Sequence, residues 1–469
     1  MRILMLGWEF PPFIAGGLGV ACYGLTKALD RMGSEVLFIL PRPVDKSHSS
    51  HIKLLSPDSS KGPLRMPRRT TKASAKRAAE GFDPDYTTTE FEHVVFKGVQ
   101  ASFSSPYPMF NTADESMRGA AAADPSMMGA SGGPEGFEAA APLPIPVGLA
   151  NKGGGHYSGD LVGDADRYAR LVVALAQHER FDVVHAHDWL TYPAGIAISN
   201  VSGKPLVVHV HSTEFDRSGD NIHQQLYDIE RRGMHLADRV VAVSAYTKSI
   251  CVQRYAVPPS KIDVVYNGID RDSEQPEPGA QIESKDKIVL FLGRITMQKG
   301  PEYFIAAAKR VLEKIKNVKF VVAGSGDMAT RMIELAAQMG IGSKVLFTGF
   351  LRGRDVERVF SMADCYVMPS VSEPFGLSAL EAIHHDVPVI LSKQSGVSEV
   401  LTHVLKVDFW DTDEMANKIV AVLRHPPLSQ TLRHHGAIDL RWLTWDGAAE
   451  KCIKAYGQAI NEHKTAKLA

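Results

Sequence analysis

Two glutamates eight residues apart bracket the segment Glu373-Pro374-Phe375-Gly376-Leu377-Ser378-Ala379-Leu380-Glu381. The apolar run Cys365-Tyr366-Val367-Met368-Pro369 before it reads as a buried strand ending in a turn, and Leu377 to Ile383 reads as a helix. This places Glu373 in the loop before the helix and Glu381 two turns inside it. The Phe375, Gly376 and Leu377 amides then lie at a helix N-terminus. There they have no intrahelical acceptor and sit at the positive end of the dipole, which suits a phosphate. Gly376 lets an anion approach the backbone closely. A carboxylate on each side of such a cradle can accept hydrogen bonds from sugar hydroxyls at both ends of a diphosphate. The segment therefore has the chemistry needed to hold a nucleotide sugar.

Three further loops carry side chains of the right type. Gly293-Arg294-Ile295-Thr296-Met297-Gln298-Lys299-Gly300 follows an apolar strand and carries two cations five residues apart. Arg grips a phosphate bidentately and Lys acts as a compact point charge, so the pair can clamp a diphosphate from two directions. Gly16-Gly17-Leu18-Gly19 joins the first strand to a helix and can bring backbone amides to an anion, although its spacing is not the dinucleotide fingerprint. Val183-Val184-His185-Ala186-His187-Asp188-Trp189 is a strand running into a loop, with His185 and His187 on one face. His185 reads as structural. His187 lies at the carboxyl end, where open parallel sheets bind ligands. His209 and His211 repeat the spacing on the next strand, and the sequence offers no third ligand cluster that would make either pair a zinc site. No metal is expected. The acidic pairs Asp83/Asp85, Asp164/Asp166, Asp270/Asp272 and Asp411/Asp413 stand apart from these loops.

The elements that must position these groups alternate between short apolar strands and helical segments from end to end, so the fold class is α/β with parallel sheets covered by helices. Strands are expected near 2–6, 35–40, 182–186, 205–210, 239–243 and 262–266 in a first domain, 1–270. A Pro- and Glu-rich linker, 271–286, precedes a second domain, 287–444, and the final helical stretch is 445–469. An insert at about 44–160 fits neither array. Within it, Phe91 to Phe103 can form a strand or hairpin, and 119–155 is rich in Ala, Gly, Pro and Ser. A basic run at 61–77 reads as a solvated loop, with contact to an anionic membrane surface the lesser reading. The net charge of −1 gives no general attraction to nucleic acid. Cys22, Cys251, Cys365 and Cys452 are scattered without metal spacing and read as buried thiols of a reducing compartment. The chain opens directly on a strand rather than a signal peptide, and no apolar run approaches a bilayer span, so a cytoplasmic protein is expected.

The segment from Glu373 to Glu381 resembles the Glu-x7-Glu signature of the retaining glycosyltransferases of family 4, which have the GT-B fold. Trp8-Glu9-Phe10-Pro11-Pro12 and the Gly16-Gly17 loop resemble the start of glycogen and starch synthases, with Ile14 where those enzymes usually carry a Lys. His185-Ala186-His187-Asp188-Trp189 and the Arg294…Lys299 loop complete the likeness, which covers residues 1–42 and 160–460. The resemblance implies two Rossmann-like domains facing a cleft, with the last helix crossing back to the first. It implies that Glu373 holds the donor sugar, Glu381 the ribose, and His187 the sugar at the transition state. Arg294 and Lys299 would neutralise the leaving nucleotide, Gly324-Ser325-Gly326-Asp327 would lie on its side, and Val345 to Phe350 would pass near the base. His209, His211 and Glu214 would line the acceptor side. The implied reaction moves a hexosyl group, best read as glucose from ADP-glucose or UDP-glucose, to an α-glucan or other glycosyl acceptor, with no cofactor. Transfer of another sugar such as mannose to a small, lipid or polysaccharide acceptor is the alternative. A nucleotide-sugar epimerase would need acid/base groups on both faces of the sugar, and a non-catalytic sensor would be expected to lack this residue set. Base, linkage and oligomeric state are not set by the sequence.

Overall fold

The short apolar strands assemble into two parallel sheets. The first contains β1 (Arg2–Leu6), β2 (Glu35–Leu40), β3 (Val94–Gly98), β4 (Val183–His187), β5 (Leu206–Val210), β6 (Arg239–Ala242) and β7 (Ile262–Val264), in the order β3-β2-β1-β4-β5-β6-β7. The second contains β8 (Lys287–Leu292), β9 (Val318–Ala323), β10 (Val345–Gly349), β11 (Cys365–Met368), β12 (Val389–Ser392) and β13 (Leu405–Val407), in the order β10-β9-β8-β11-β12-β13. The computed structural model describes residues 1–10, 16–41, 93–98, 160–270 and 286–468. All of them belong to one compact unit, Met1–Ser104 with Asp160–Ala469. Ile14, Asp83, Asp85, Asp272, the basic run, the Ala/Gly/Pro/Ser-rich stretch and nearly all of the linker lie outside the described residues.

Strands β4, β5, β6, β11 and β12 are buried along their whole length, which explains why they read as continuous apolar runs rather than alternating ones. Helices α1 (Gly17–Arg31), α2 (Leu161–Ala176), α3 (Tyr192–Ser202), α4 (Glu214–Ser218), α5 (Gln224–Leu236) and α6 (Ala245–Tyr255) belong to the first lobe. The second lobe has α7 (Pro301–Lys314), α8 (Ala329–Gln338), α9 (Arg354–Ser361), α10 (Leu377–His384), α11 (Thr412–Arg424) and α12 (Pro426–Asp439). Of the segment Phe91 to Phe103, the described part is a single strand, β3, paired in parallel with β2 at the sheet edge.

In each sheet the chain starts at an inner strand, builds outward to one side, then crosses to the other. The two reversals fall between β1 and β4 and between β8 and β11. Loops leaving the carboxyl ends of neighbouring strands diverge at such a point and leave a crevice between them. All four chemistry-bearing loops singled out from the sequence leave one of these strands.

The last helix, α13 (Trp445–Leu468), returns from the second lobe to the first. Its Trp445, Ala448, Ala449, Cys452, Ala455, Tyr456 and Ala459 share a core cluster with Ile3, Met5, Val36 and Phe38 of β1 and β2. Small residues along this face allow close packing on the sheet. Gly24 of α1 makes room for the indole, since a β-carbon there would lie 2.1 Å from the Trp445 ring. Gly24→Ala is expected to overpack this junction and lower stability by about 1–3 kcal/mol, read as a lower urea midpoint. The four cysteines are all free and buried. Among the described residues, no helix is long and apolar enough to cross a membrane.

Candidate functional site

The second-lobe half of the site is made by loops leaving β8, β9, β10 and β11. After β8 the chain turns at Gly293, passes Arg294, makes a short 3-10 turn at Met297–Lys299 and turns again at Gly300. Gly300 has a left-handed φ of 63°, and a β-carbon on it would lie 2.2 Å from the Pro369 carbonyl oxygen. The loop after β8 is thereby pressed against the loop after β11. The Gln298 carbonyl accepts the Val371 amide at 2.9 Å. Across this junction Lys299 Nζ forms an ion pair with Glu373 Oε2. Ser370 Oγ donates to the same oxygen at 3.3 Å. Arg294 donates to Gln298 Oε1 at 3.2 Å. Gly324 closes the opposite wall: its φ is 141°, its amide donates to the Gly349 carbonyl, and a β-carbon would lie 1.9 Å from Gly293 O. Phe350, just beyond β10, is exposed beside Arg352.

Helix α10 begins as expected, with Gly376 as N-cap at φ 112° and no side-chain cap. The Phe375 ring is buried against Tyr266 of the first lobe, so this residue presents its backbone, not its ring, to the cradle. Glu381 lies four residues past the first helical residue, a little over one turn in rather than two: the helix starts at Leu377 as expected, and each turn takes about 3.6 residues. Some of its surface stays accessible. The carboxyl group is nevertheless sheltered, and burial pushes its pKa up to about 7.

On the first lobe, Gly16 and Gly17 open α1 at the β1/β4 reversal. A β-carbon on Gly17 would lie 3.9 Å from Leu377 Cδ1, and Leu377 also packs against the first lobe's core. The two helix starts thus face each other across the lobes. His187 ends β4 and is fully buried. Its Nδ1 is 2.9 Å from His211 Nε2, so one of these nitrogens carries a proton and the other accepts it. Burial, then the neighbouring His185 and His211, hold the His187 pKa well below its usual value, and the ring is neutral near pH 7. His211 is likewise pushed down to about 3 by burial. Asp188 follows in a left-handed conformation, φ 57°, which its short polar side chain tolerates. Its carboxylate accepts the His211 amide at 2.7 Å and the Ser212 amide at 3.3 Å, tying the β4 and β5 loops together.

Parallel pairing sets His187 opposite His209, and His185 joins them with ring centroids 4.2 Å from His187 and 5.3 Å from His209. The sequence offered no third ligand for a zinc site, but the sheet supplies one: ligand nitrogens of His185, His187 and His209 lie within 4.8 Å of one another. Adjacency of β4 and β5, which no local signal reveals, is the reason. Zn–N bonds of about 2.0–2.1 Å would require these nitrogens to draw considerably closer. His185 has a structural contact, its Nδ1 lying 2.7 Å from Tyr456 Oη of α13.

Glu214 is not presented to the cleft. Its carboxylate is enclosed, paired with Arg217 at 3.2 Å, and accepts from Ser218 Oγ and the His223 amide. Of the other described acidic residues in these pairs, Asp411 caps α11, Asp413 pairs with Arg310, and Asp270 pairs with Lys27. Asp164, in turn, pairs with Arg167 within α2. Sequence reasoning missed Asp188 and the groups through which the lobes touch, Asp216, Ser244, Tyr246 and Ser372. Each is a common residue whose partner lies on another strand or in the other lobe.

Known families match this chain along most of its length. Glycosyl transferases group 1 matches residues 272–437, Glycosyltransferase Family 4 residues 136–273, and the starch synthase catalytic domain residues 2–113. An uncharacterised glycosyltransferase of Methanocaldococcus jannaschii is 31% identical over 305 residues, covering 60% of this chain and 76% of the relative. The glycogen synthase of Mycobacterium tuberculosis is 26% identical over 405 residues, 86% of this chain and 80% of that one. Among solved structures, HepE of Anabaena in complex with UDP and glucose superposes with a TM-score of 0.63 at 16% identity, covering 97% of this chain and 99% of HepE.

Proposed function

The chain belongs to the GT-B glycosyltransferases, and from that premise we propose that it moves a glucosyl group from UDP-glucose or ADP-glucose to an α-glucan or related glycosyl acceptor, with retention at the anomeric carbon. One observation carries this reading. The loops from both sheet reversals face one another, with Gly17 against Leu377, and the Lys299–Glu373 pair lies in the loops of the second reversal. The likeness to a glycogen synthase supports a glucan acceptor, and the UDP and glucose bound to HepE support the donor class.

In the proposed reaction the bond between the sugar's anomeric carbon and the phosphate oxygen breaks, and negative charge grows on the departing diphosphate. Arg294, Lys299 and the amides opening α10 stabilise that charge. Lys299 meets Glu373 before the donor arrives, so the diphosphate and the sugar-holding carboxylate share one cation. Glu373 holds the donor's hydroxyls. His187, enclosed with its Nδ1 on His211 and neutral, would support the electron-poor sugar by its ring dipole and not by a positive charge. The acceptor hydroxyl attacks the same face that the phosphate leaves, and the leaving phosphate oxygen takes its proton. Gly324 and the end of β10 flank the nucleotide, and Glu381 holds the ribose.

Incubation of the protein with each common nucleoside diphosphate sugar, with and without glycogen or maltooligosaccharides, tests the reading. Release of UDP or ADP that depends on the glucan is expected, with an α-linked product. Release from a different sugar donor would replace the glucose assignment, and no release from any donor would defeat the proposal.

Glu381 adds a pH signature. With its carboxyl pKa raised to about 7, it is largely protonated in more acidic solution and ionised in more basic solution. The ionised form is the better acceptor for two ribose hydroxyls. Donor KM is therefore expected to fall by roughly tenfold between about pH 6 and about pH 8. Glu381→Gln should flatten that dependence, and a variant with the parental pH profile would exclude this role.

A further inference from the structure

The residues on either side of Glu373 are held by the opposite lobe. Ser372 Oγ donates to Asp216 Oδ1 at 2.5 Å and lies 2.9 Å from Tyr246 Oη. Since the single hydroxyl proton of Ser372 goes to Asp216, the Tyr246 hydroxyl is the donor in the second contact. On the other side, the Pro374 carbonyl accepts from Ser244 Oγ at 2.6 Å and from Thr247 Oγ1 at 3.2 Å. Asp216, Ser244, Thr247 and Ser372 are all buried. Asp216 is itself fixed, its Oδ2 accepting the Thr213 amide and hydroxyl at 2.7 and 2.8 Å. Glu399 of the second lobe accepts the Ala245 and Tyr246 amides that open α6, at 2.9 and 2.5 Å. The junction has no spare room: a β-carbon on Gly396 would lie 2.1 Å from Pro374 O and 2.4 Å from Ser244 Cβ.

We infer that Asp216, Ser244 and Tyr246 of the first lobe are positioning residues for Glu373, so that the sugar-holding carboxylate is aligned only while the first lobe is docked on its loop. This rests on the proposed role of Glu373 and adds a condition to it. Glu373's own backbone is tied within the second lobe, its amide to Gln394 O and its carbonyl to the Gly396 amide, each at 2.9 Å. The loop therefore survives without the first lobe, but its two flanks do not keep their alignment. Docking of the lobes and readiness for transfer become one event.

The test uses the full chain with Tyr246→Phe, Ser372→Ala, Ser372→Thr, Gly396→Ala and Glu373→Ala. Ser372→Ala and Gly396→Ala are expected to lower kcat on the order of tenfold while donor KM stays within about twofold, because a small misplacement acts on the reacting geometry more than on binding. Tyr246→Phe, which removes one part-buried hydrogen bond and keeps the ring, should lower kcat by about threefold with a nearly unchanged melting temperature. Ser372→Thr retains the hydroxyl and should restore most of the rate. Parental kcat in Tyr246→Phe and Ser372→Ala, or equal losses in Ser372→Thr and Ser372→Ala, would overturn the inference. If Ser372→Ala does not fold, the Tyr246→Phe and Gly396→Ala rates decide. An inactive Glu373→Ala beside fully active flanking variants sinks only this inference, whereas an active Glu373→Ala sinks the role of Glu373 itself.

Discussion

Glu373→Ala is expected to lower transfer about a hundredfold to a thousandfold, the size of effect seen when one group aimed at the transition state is removed. The loss should fall on kcat. Alanine leaves Lys299 without its carboxylate partner, which makes the cation more available to the donor's diphosphate, so donor KM should stay level or decrease. Glu373→Gln keeps a hydrogen-bond acceptor of the same shape without the charge and should fall between the parent and alanine. Measured NDP release in the presence of acceptor separates these outcomes. Turnover by Glu373→Ala at the parental rate would remove the carboxylate from the mechanism.

Arg294→Met and Lys299→Met should each lower kcat by about the same hundredfold to thousandfold, and the double variant should lose less than the product of the two, since both cations act on one leaving group. Stability distinguishes them. Lys299→Met leaves the buried Glu373 carboxylate, only 8% exposed in its side chain, without its ion-pair partner. Removing one member of such a pair is costly, and partial exposure of Lys299 reduces the penalty to about 1–3 kcal/mol. Arg294 is half-buried and its substitution should disturb folding less. Urea unfolding beside steady-state kinetics checks both halves, and two variants with parental kcat would remove the diphosphate clamp.

The two sheet reversals explain why four separated motifs serve one purpose. A parallel strand ends where its loop can reach ligand, and the two strands flanking a reversal send their loops apart around a crevice. In this chain the Gly16-Gly17 loop and His187 belong to one reversal, and Arg294, Lys299 and Glu373 to the other. The return of α13 to the first lobe, with Trp445 against Gly24 and Tyr456 against His185, links the far end of the chain to the same region.

The amino-acid sequence determined by itself what depends on neighbours along the chain. The apolar runs became strands at nearly the expected residues, Gly376 opened a helix, and Gly293 and Gly300 turned the loop that carries two cations. Those outcomes follow from backbone sterics and short-range periodicity, which a few consecutive residues specify. Tertiary structure alone decided which strand lies beside which. The Lys299–Glu373 pair spans 74 residues, the third imidazole beside His187 comes from the next strand, and Glu214 turned inward to Arg217 instead of facing the cleft. Ser372 and Asp216 are 156 residues apart. Such partners are chosen by how whole faces of sheets and helices bury one another, a choice made over the entire chain and written in no single segment of it.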